Sequence, residues 1–212
     1  FAAAAMAVNP WHVQFSRNGF RAIMTPLFLA LLFYFFIKAY RDGKLKDYAL
    51  SGIMLALGFY TYLSFRMVPL ILMALLGYII LKDRKFVVKN IKPISIFLTA
   101  FVIVMIPLFI HFANVPGDIV GRSSASIFNP EINNGNVIKT LAINIKDTLL
   151  MFNYHGDNNF RHNFAGQPML DPLLGGLLLI GFMLSLLRFR RIEHYLLLTW
   201  FVVMSLPALL TA

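Results

Sequence analysis

The chain has 212 residues, of which 59% are hydrophobic and 13% charged, and its formal net charge is +10. A soluble domain carries about 25% charged residues, so this composition excludes an ordinary globular domain and indicates a polytopic membrane protein. Cysteine is absent, which excludes disulfides and thiolate metal sites.

The chain opens on an apolar run, 1–8, that is too short to cross a bilayer, because a span needs about 20 residues. The run has no basic stretch and no small-residue cleavage site, so it is not a signal peptide. The last residues also stop inside an apolar run. We therefore expect an internal fragment in which 1–8 ends a longer helix, Pro10 ends or kinks that helix and Ser16 caps the next one.

One apolar run, 48–81, is too long for a single span. Its 34 residues would make a helix of about 51 Å, which overshoots a hydrocarbon core of about 30 Å and would bury Arg66. A break at 60–66 instead places Arg66 at the water boundary, with Tyr60 and Tyr62 in the interfacial aromatic belt. We therefore predict a hairpin here.

With this break, the chain is predicted to be part of one transmembrane domain. The predicted fold class is all-α, a polytopic transmembrane helix bundle with a long external loop that contains an amphipathic interfacial helix. The predicted spans are 22–39, 48–60, 67–81, 94–112, 172–187 and 195–212.

The loops between these spans differ in charge. Loops 40–47, 82–93 and 188–194, with the adjoining helix ends, carry twelve of the nineteen basic residues. The positive-inside rule makes this side cytoplasmic, and the cell (plasma) membrane is the expected location. The positive charge therefore reflects topology, and no nucleic-acid partner is predicted because no basic–aromatic RNA motif accompanies it.

The external loop, 113–171, contains one strongly patterned stretch. At 136–152 the pattern predicts an amphipathic helix that lies on the membrane surface, with Asn136 as its N-cap. Its apolar face is predicted to carry Val137, Ile138, Leu141, Ile145, Leu149 and Phe152.

Three segments carry a more specific resemblance. They are NPWHVQFSRNGFR at 9–21, GFYTYLSFRMVPL at 58–70 and MFNYHGDNNFRHNFAGQPMLDPLLGGLLLIGF at 151–182. Together with the Ala-rich helix end before the first, they cover about a third of the chain. In this order and on this side of the membrane, they resemble GT-C glycosyltransferases of the protein-mannosyltransferase and aminoarabinose-transferase type, glycosyltransferase family 39.

This resemblance implies a hexosyl- or pentosyltransferase. The donor would be a polyprenyl-phosphate-linked sugar, and the acceptor an extracytoplasmic protein, lipid or glycan. The family also implies an acidic catalytic base in its first external loop, which would lie upstream of Phe1, so the catalytic residues of this chain are unknown. A related oligosaccharyltransferase is disfavoured because its Trp-Trp-Asp-type motif is not present.

Three arginines are candidates for binding the donor phosphate: Arg17, Arg66 and Arg161. The leaving group of such a transfer is anionic, so cations near the outer interface stabilise the developing charge. A guanidinium also matches a phosphate bidentately. The alternative is that these arginines only extend from helix ends toward the interface.

A polar cluster at 153–163 supplies candidates for binding sugar or acceptor hydroxyls. The residues are His155, Asp157, Asn158, Asn159 and His162. The alternative is a structural loop whose polar groups satisfy one another. No metal site is predicted, because a loop does not hold H-x-D-x4-H rigidly and no HExxH pattern is present. Whether the reaction needs a divalent cation stays open.

Two further residues have structural predictions. Asp171 is expected to cap the following helix, and His111 is expected to be an interfacial packing residue.

The predicted partners are the lipid-linked sugar donor, an extracytoplasmic acceptor and membrane lipids. The rival hypothesis is a non-enzymatic membrane transporter or an envelope-polysaccharide assembly subunit. A transporter should carry polar residues deep in its spans, whereas here the charges gather at the span ends. This distribution favours interfacial chemistry.

Overall fold

The computed structural model describes residues 2–120, 126–159 and 165–211, and it confirms the all-α fold class. Within these ranges the only extended pairing is one isolated antiparallel bridge between Ser126 and Thr211. The helices are α1 (Ala2–Val8), α2 (Pro10–Arg17), α3 (Met24–Asp42), α4 (Leu45–Phe59), α5 (Val68–Lys82), α6 (Phe86–Lys89), α7 (Ile91–Asn114), α8 (Gly117–Val120), α9 (Pro130–Asn133), α10 (Val137–Asn153), α11 (Pro172–Leu187) and α12 (Ile192–Leu210).

Four helical stretches are long and apolar enough to cross a membrane: Arg21–Asp42, Leu63–Lys82, Ile91–Asn114 and Ile192–Leu210. Helix α11 is apolar but has only 16 residues, and α4 has 15, which corresponds to about 22 Å. These six elements coincide with the six predicted spans. Their assignment to the membrane stays a prediction.

The chain divides into two compact units, which we call the central unit (Arg21–Gly121) and the terminal unit (Phe1–Phe20 with Arg122–Ala212). In the central unit α4 packs between α3 and α7. Leu32 of α3 and Ala56 of α4 are fully buried, and the Ser51 hydroxyl donates a hydrogen bond of 3.2 Å to the carbonyl of Leu32. Close helix packing therefore forms the core of this unit.

The predicted break within 48–81 is present in the central unit. Helix α4 ends at Phe59, and a 3-10 turn over Leu63–Met67 leads into α5. The Tyr60 hydroxyl donates a hydrogen bond of 2.7 Å to the carbonyl of Val104 in α7. This bond ties the break to the neighbouring helix.

In the terminal unit α12 packs against both α10 and α11. The Asn144 side-chain amide donates to the carbonyls of Leu209 and Thr211 at 3.0 Å each, and the ring of Phe152 lies 5.8 Å from that of Phe201. Helix α10 therefore runs alongside the C-terminal half of α12. Between α11 and α12 lies an open apolar cavity of about 670 Å³.

Local capping rules account for several helix ends. Asn136 and Asp171 cap α10 and α11 as predicted, each accepting hydrogen bonds from backbone N–H groups of the first turn. The prediction for Ser16 is wrong, because Ser16 lies inside α2. Asn9 caps that helix instead, accepting a 3.0 Å bond from the His12 N–H, and Pro10 starts it, where its missing N–H costs nothing.

Candidate functional site

The break after α4 fixes the backbone next to Arg66. Phe65 is fully buried, and its ring packs directly on Gly58, where a Cβ would overlap the ring. Arg66 follows immediately in the same 3-10 turn. The position of Arg66 is therefore set by the close contact between Phe65 and Gly58.

The guanidinium of Arg66 lies at the end of the central unit opposite that unit's own basic loops, 40–47 and 82–93. It is 5.2 Å from the centre of the Phe112 ring, within the range of a cation–π interaction. Its Nη2 donates a hydrogen bond of 3.1 Å to the carbonyl of Asp118. The end of α7 and the start of the external loop thus both contact this cation.

His111 and Asp118 are joined directly. His111 Nε2 lies 2.8 Å from Asp118 Oδ2, and the two side chains are 50% and 57% exposed. Sequence reasoning treated His111 as a packing residue and did not select Asp118. The pairing depends on the backbone turn between α7 and α8. Pro116-Gly117 is a sequence signal for that turn, and it was the one feature that could have brought Asp118 and His111 together in the prediction.

Other polar side chains lie near the same end of the central unit. The Thr61 hydroxyl donates to the carbonyl of Gly58 at 2.6 Å and lies 3.4 Å from the hydroxyl of Thr25. Tyr60 and Tyr62 are each 44% exposed. The break that carries Arg66 therefore also carries hydroxyl groups, two of which, those of Tyr60 and Thr61, donate to backbone carbonyls.

Arg17 belongs to the terminal unit, where it is the last residue of α2 and is exposed. The corner before it is well anchored. Asn9 is only 8% exposed, and its side-chain amide donates a 3.1 Å bond to the carbonyl of Met169, just ahead of α11. This bond links the first sequence segment of the resemblance to the third.

The polar cluster at 153–163 begins a loop with internal hydrogen bonds. Asp157 Oδ1 accepts a 2.8 Å bond from the N–H of Asn159. Gly166 donates to the carbonyl of Asp157 at 3.2 Å and accepts from the N–H of Gly156 at 3.3 Å. The structure thus brings Asp157 and Asn159 together and leaves His155 and Asn158 exposed.

The remaining two candidates, Arg161 and His162, lie outside the described residues. Among the described residues, no group of three or more His, Asp or Glu side chains is placed to hold a metal ion.

The model of a protein family described as dolichyl-phosphate-mannose-protein mannosyltransferase matches residues 1–111. The match covers α1 to α6 and most of α7, with both Arg17 and Arg66, and ends just before Phe112. No curated protein and no solved structure gave a significant match.

Proposed function

This chain belongs to the dolichyl-phosphate-mannose-protein mannosyltransferase family, and on that premise we propose that it transfers a sugar from a polyprenyl-phosphate carrier to an acceptor outside the cytoplasm. The family makes it a membrane glycosyltransferase of the GT-C kind. Membership favours an enzyme over the rival transporter or assembly subunit. The acceptor in this proposal is a protein, lipid or glycan, and the membrane is the plasma membrane.

The observation that carries the proposal is the placement of Arg66. Transfer breaks the bond between the sugar and the carrier phosphate, so negative charge grows on that phosphate in the transition state. A guanidinium already held in place stabilises the charge without having to reorganise. Arg66 is held in this way by the Phe112 ring and the Asp118 carbonyl, at the end of the central unit opposite loops 40–47 and 82–93.

The other candidate residues have secondary roles in the proposal. Arg17 and Arg161 supply further cations for the phosphate. The loop residues bind hydroxyl groups of the sugar or the acceptor, and they are His155, Asp157, Asn158, Asn159 and His162. The identity of the sugar is left to experiment.

The test uses purified protein in lipid nanodiscs with radiolabelled polyprenyl-phosphate sugars and a crude extracytoplasmic acceptor fraction. Arg66→Ala is expected to lower sugar transfer about 10- to 100-fold, and Arg17→Ala to lower it less, because each removes charge stabilisation from the leaving phosphate. Arg66→Lys should recover only part of the activity, since an ammonium cannot bind a phosphate bidentately.

Arg84→Ala is the matched control, because Arg84 lies in a basic loop at the other end of the central unit, and it should transfer at the wild-type rate. Turnover at the wild-type rate in both Arg66→Ala and Arg17→Ala would remove these residues from the donor site. Repeating the assay with a chelator tests whether a divalent cation takes part.

A further inference from the structure

We propose that Asp118 and His111 are positioning residues that hold the Arg66 guanidinium ready for the donor phosphate. The inference rests on the proposed function of Arg66. Asp118 lies beyond the segment matched by the family model, and His111 is the last residue of that segment. The link between the two residues and Arg66 comes from the geometry of the turn after α7.

That turn closes on itself. The N–H of Val115 donates to the carbonyl of His111 at 2.8 Å, and the N–H of Asp118 donates to the carbonyl of Val115 at 3.2 Å. The side-chain bond of 2.8 Å between His111 and Asp118 then joins the start of α8 to the last full turn of α7. Asp118 therefore makes two contacts: its carboxylate binds His111, and its backbone carbonyl accepts a hydrogen bond from Arg66.

Helix α8 cannot hold this arrangement alone. It has four residues, and so short a helix is not stable without tertiary contacts. The hydrogen bond from His111 supplies such a contact and fixes the direction of the Asp118 carbonyl. Phe112, next to His111, makes the cation–π contact with the same guanidinium. One short segment, 111–118, thus provides both of these contacts to Arg66.

The consequence for binding follows from side-chain entropy. An arginine loses up to about 2 kcal/mol of rotamer freedom when it is ordered, and a site that is ordered before the ligand arrives does not incur this loss on binding. Breaking the contact between His111 and Asp118 should release the carbonyl and let Arg66 move. Because both side chains are half exposed, the pair itself adds little to folding stability. Loss of the pair should therefore change the affinity for the phosphate more than the melting temperature.

The experiment measures binding of a fluorescent polyprenyl monophosphate to the full protein in nanodiscs, with the matching polyprenol as the probe that lacks the phosphate. Asp118→Ala and His111→Ala are each expected to raise the Kd for the phosphate probe about five- to tenfold and to leave polyprenol binding unchanged. Asp118→Ala keeps the backbone carbonyl that Arg66 uses and removes the carboxylate that contacts His111. His111→Gln, which keeps a side-chain N–H donor, should restore most of the affinity.

Double variants show whether the effect passes through Arg66. The His111→Ala, Asp118→Ala double variant should bind as weakly as either single variant, because both changes break one contact. In an Arg66→Ala background, Asp118→Ala should have no further effect. Asp147→Ala, which removes an exposed aspartate from α10, is the matched control and should bind normally.

The outcomes separate the two proposals. Wild-type binding by Arg66→Ala would overturn both the proposed role of Arg66 and the positioning role. Weak binding by Arg66→Ala together with normal binding by Asp118→Ala would overturn only the positioning role. An effect of Asp118→Ala that persists undiminished without Arg66 would also overturn it, since Asp118 would then contact the ligand itself or act by another route.

Discussion

The central and terminal units are built from similarly apolar helices but are held together differently. In the central unit backbones approach closely, as where Gly52 of α4 meets the carbonyl of Phe97 in α7, and Leu32, Phe65 and Ile71 are fully buried. The described part of the terminal unit contains an open cavity of about 670 Å³. There, besides the packing of α12 on α10 and α11, side-chain hydrogen bonds from Asn9 and Asn144 connect the elements.

The difference bears on the candidate sites. Arg66 projects from a close-packed bundle, so its position is set by packing. The polar residues near Asp157 depend on a loop that is closed by its own backbone hydrogen bonds. A rigid support suits a charge that must be in place before reaction, whereas a loop can adapt to an acceptor. Substitutions that test packing in one unit and hydrogen bonding in the other should therefore give different responses.

The largest effect is expected for Gly52→Ala. A Cβ at this position would overlap the carbonyl oxygen of Phe97 and come within 3.1 Å of its carbonyl carbon and 3.2 Å of the Phe101 nitrogen. These are backbone atoms, so α4 and α7 must move apart, at a cost of about 1–3 kcal/mol or more. Thermal unfolding in detergent, followed by size-exclusion chromatography, should show a clear fall in melting temperature.

Gly77→Ala is the control for Gly52→Ala. Gly77 lies inside α5, and nothing lies within 4 Å of a Cβ built there. Alanine is favoured over glycine in a helix by about 1 kcal/mol, so Gly77→Ala should melt at the wild-type temperature or slightly above. Equal melting temperatures for the two variants would show that α4 and α7 do not need their close approach.

The second effect in size is expected for Asn9→Ala in the terminal unit. This change removes the cap of α2 and the bond to the carbonyl of Met169, and a lost cap alone costs about 1 kcal/mol. Hydrogen exchange should rise in α2 and in the backbone around Met169. Asn9→Asp keeps the cap of α2 but cannot donate to the carbonyl of Met169. It should therefore raise hydrogen exchange around Met169 and leave exchange in α2 unchanged.

A smaller effect is expected for Gly175→Ala in α11. A Cβ there would lie 2.8 Å from Asn153 Oδ1, which is buried and has no hydrogen-bond partner among the described residues. Because this obstacle is a side chain that can rotate, the cost of moving it should roughly equal the gain in helix propensity from glycine to alanine. The melting temperature of Gly175→Ala should therefore stay close to that of the wild type. Gly176→Ala, with open space around its Cβ, should be the more stable of the two by about 1 kcal/mol. A loss as large as that of Gly52→Ala would mean that the terminal unit is packed just as tightly.

Local rules were enough to predict several parts of the fold. The caps at Asn136 and Asp171 and the break between α4 and α5 depend on a few neighbouring residues or on the thickness of a bilayer. The contact of α10 with α12 was not predictable in this way. Ile138 and Leu149 of the predicted apolar face are 82% and 59% exposed, and their contact with the membrane surface stays a prediction. Phe152 of that face lies beside Phe201, while the polar Asn144 donates to carbonyls at the end of α12. A contact with carbonyls at a distant helix end leaves no mark in the residue pattern of α10.

The candidate site shows the same limit. Arg66 could be selected because an arginine inside an apolar run is costly and must lie near water. Asp118 could not, because its relation to Arg66 uses a backbone carbonyl, which every residue has. Pro116-Gly117 indicates a turn at 115–118, but such a turn does not indicate which distant side chain its carbonyls contact. Side-chain chemistry therefore indicated the cation, and only the three-dimensional structure indicated what holds it.

The smallest effect is expected at a basic loop of the central unit. Hydrogen bonds from the Lys89 side chain and from the backbone N–H of Lys85 lower the pKa of Asp83 below its ordinary value of 3.8. A lowered pKa means that the carboxylate stabilises this loop at any pH above its ordinary value and that the contribution is lost as the pH falls through the lowered pKa. The Asp83 side chain is 44% exposed, so the effect is confined to the loop and is weakened by salt. Hydrogen exchange at residues 85–90, corrected for its intrinsic pH dependence, should rise between pH 5 and pH 3 in the wild type and be high throughout in Asp83→Asn. An unchanged protection at pH 3 would mean that the loop is held by its short helix α6 and not by the carboxylate.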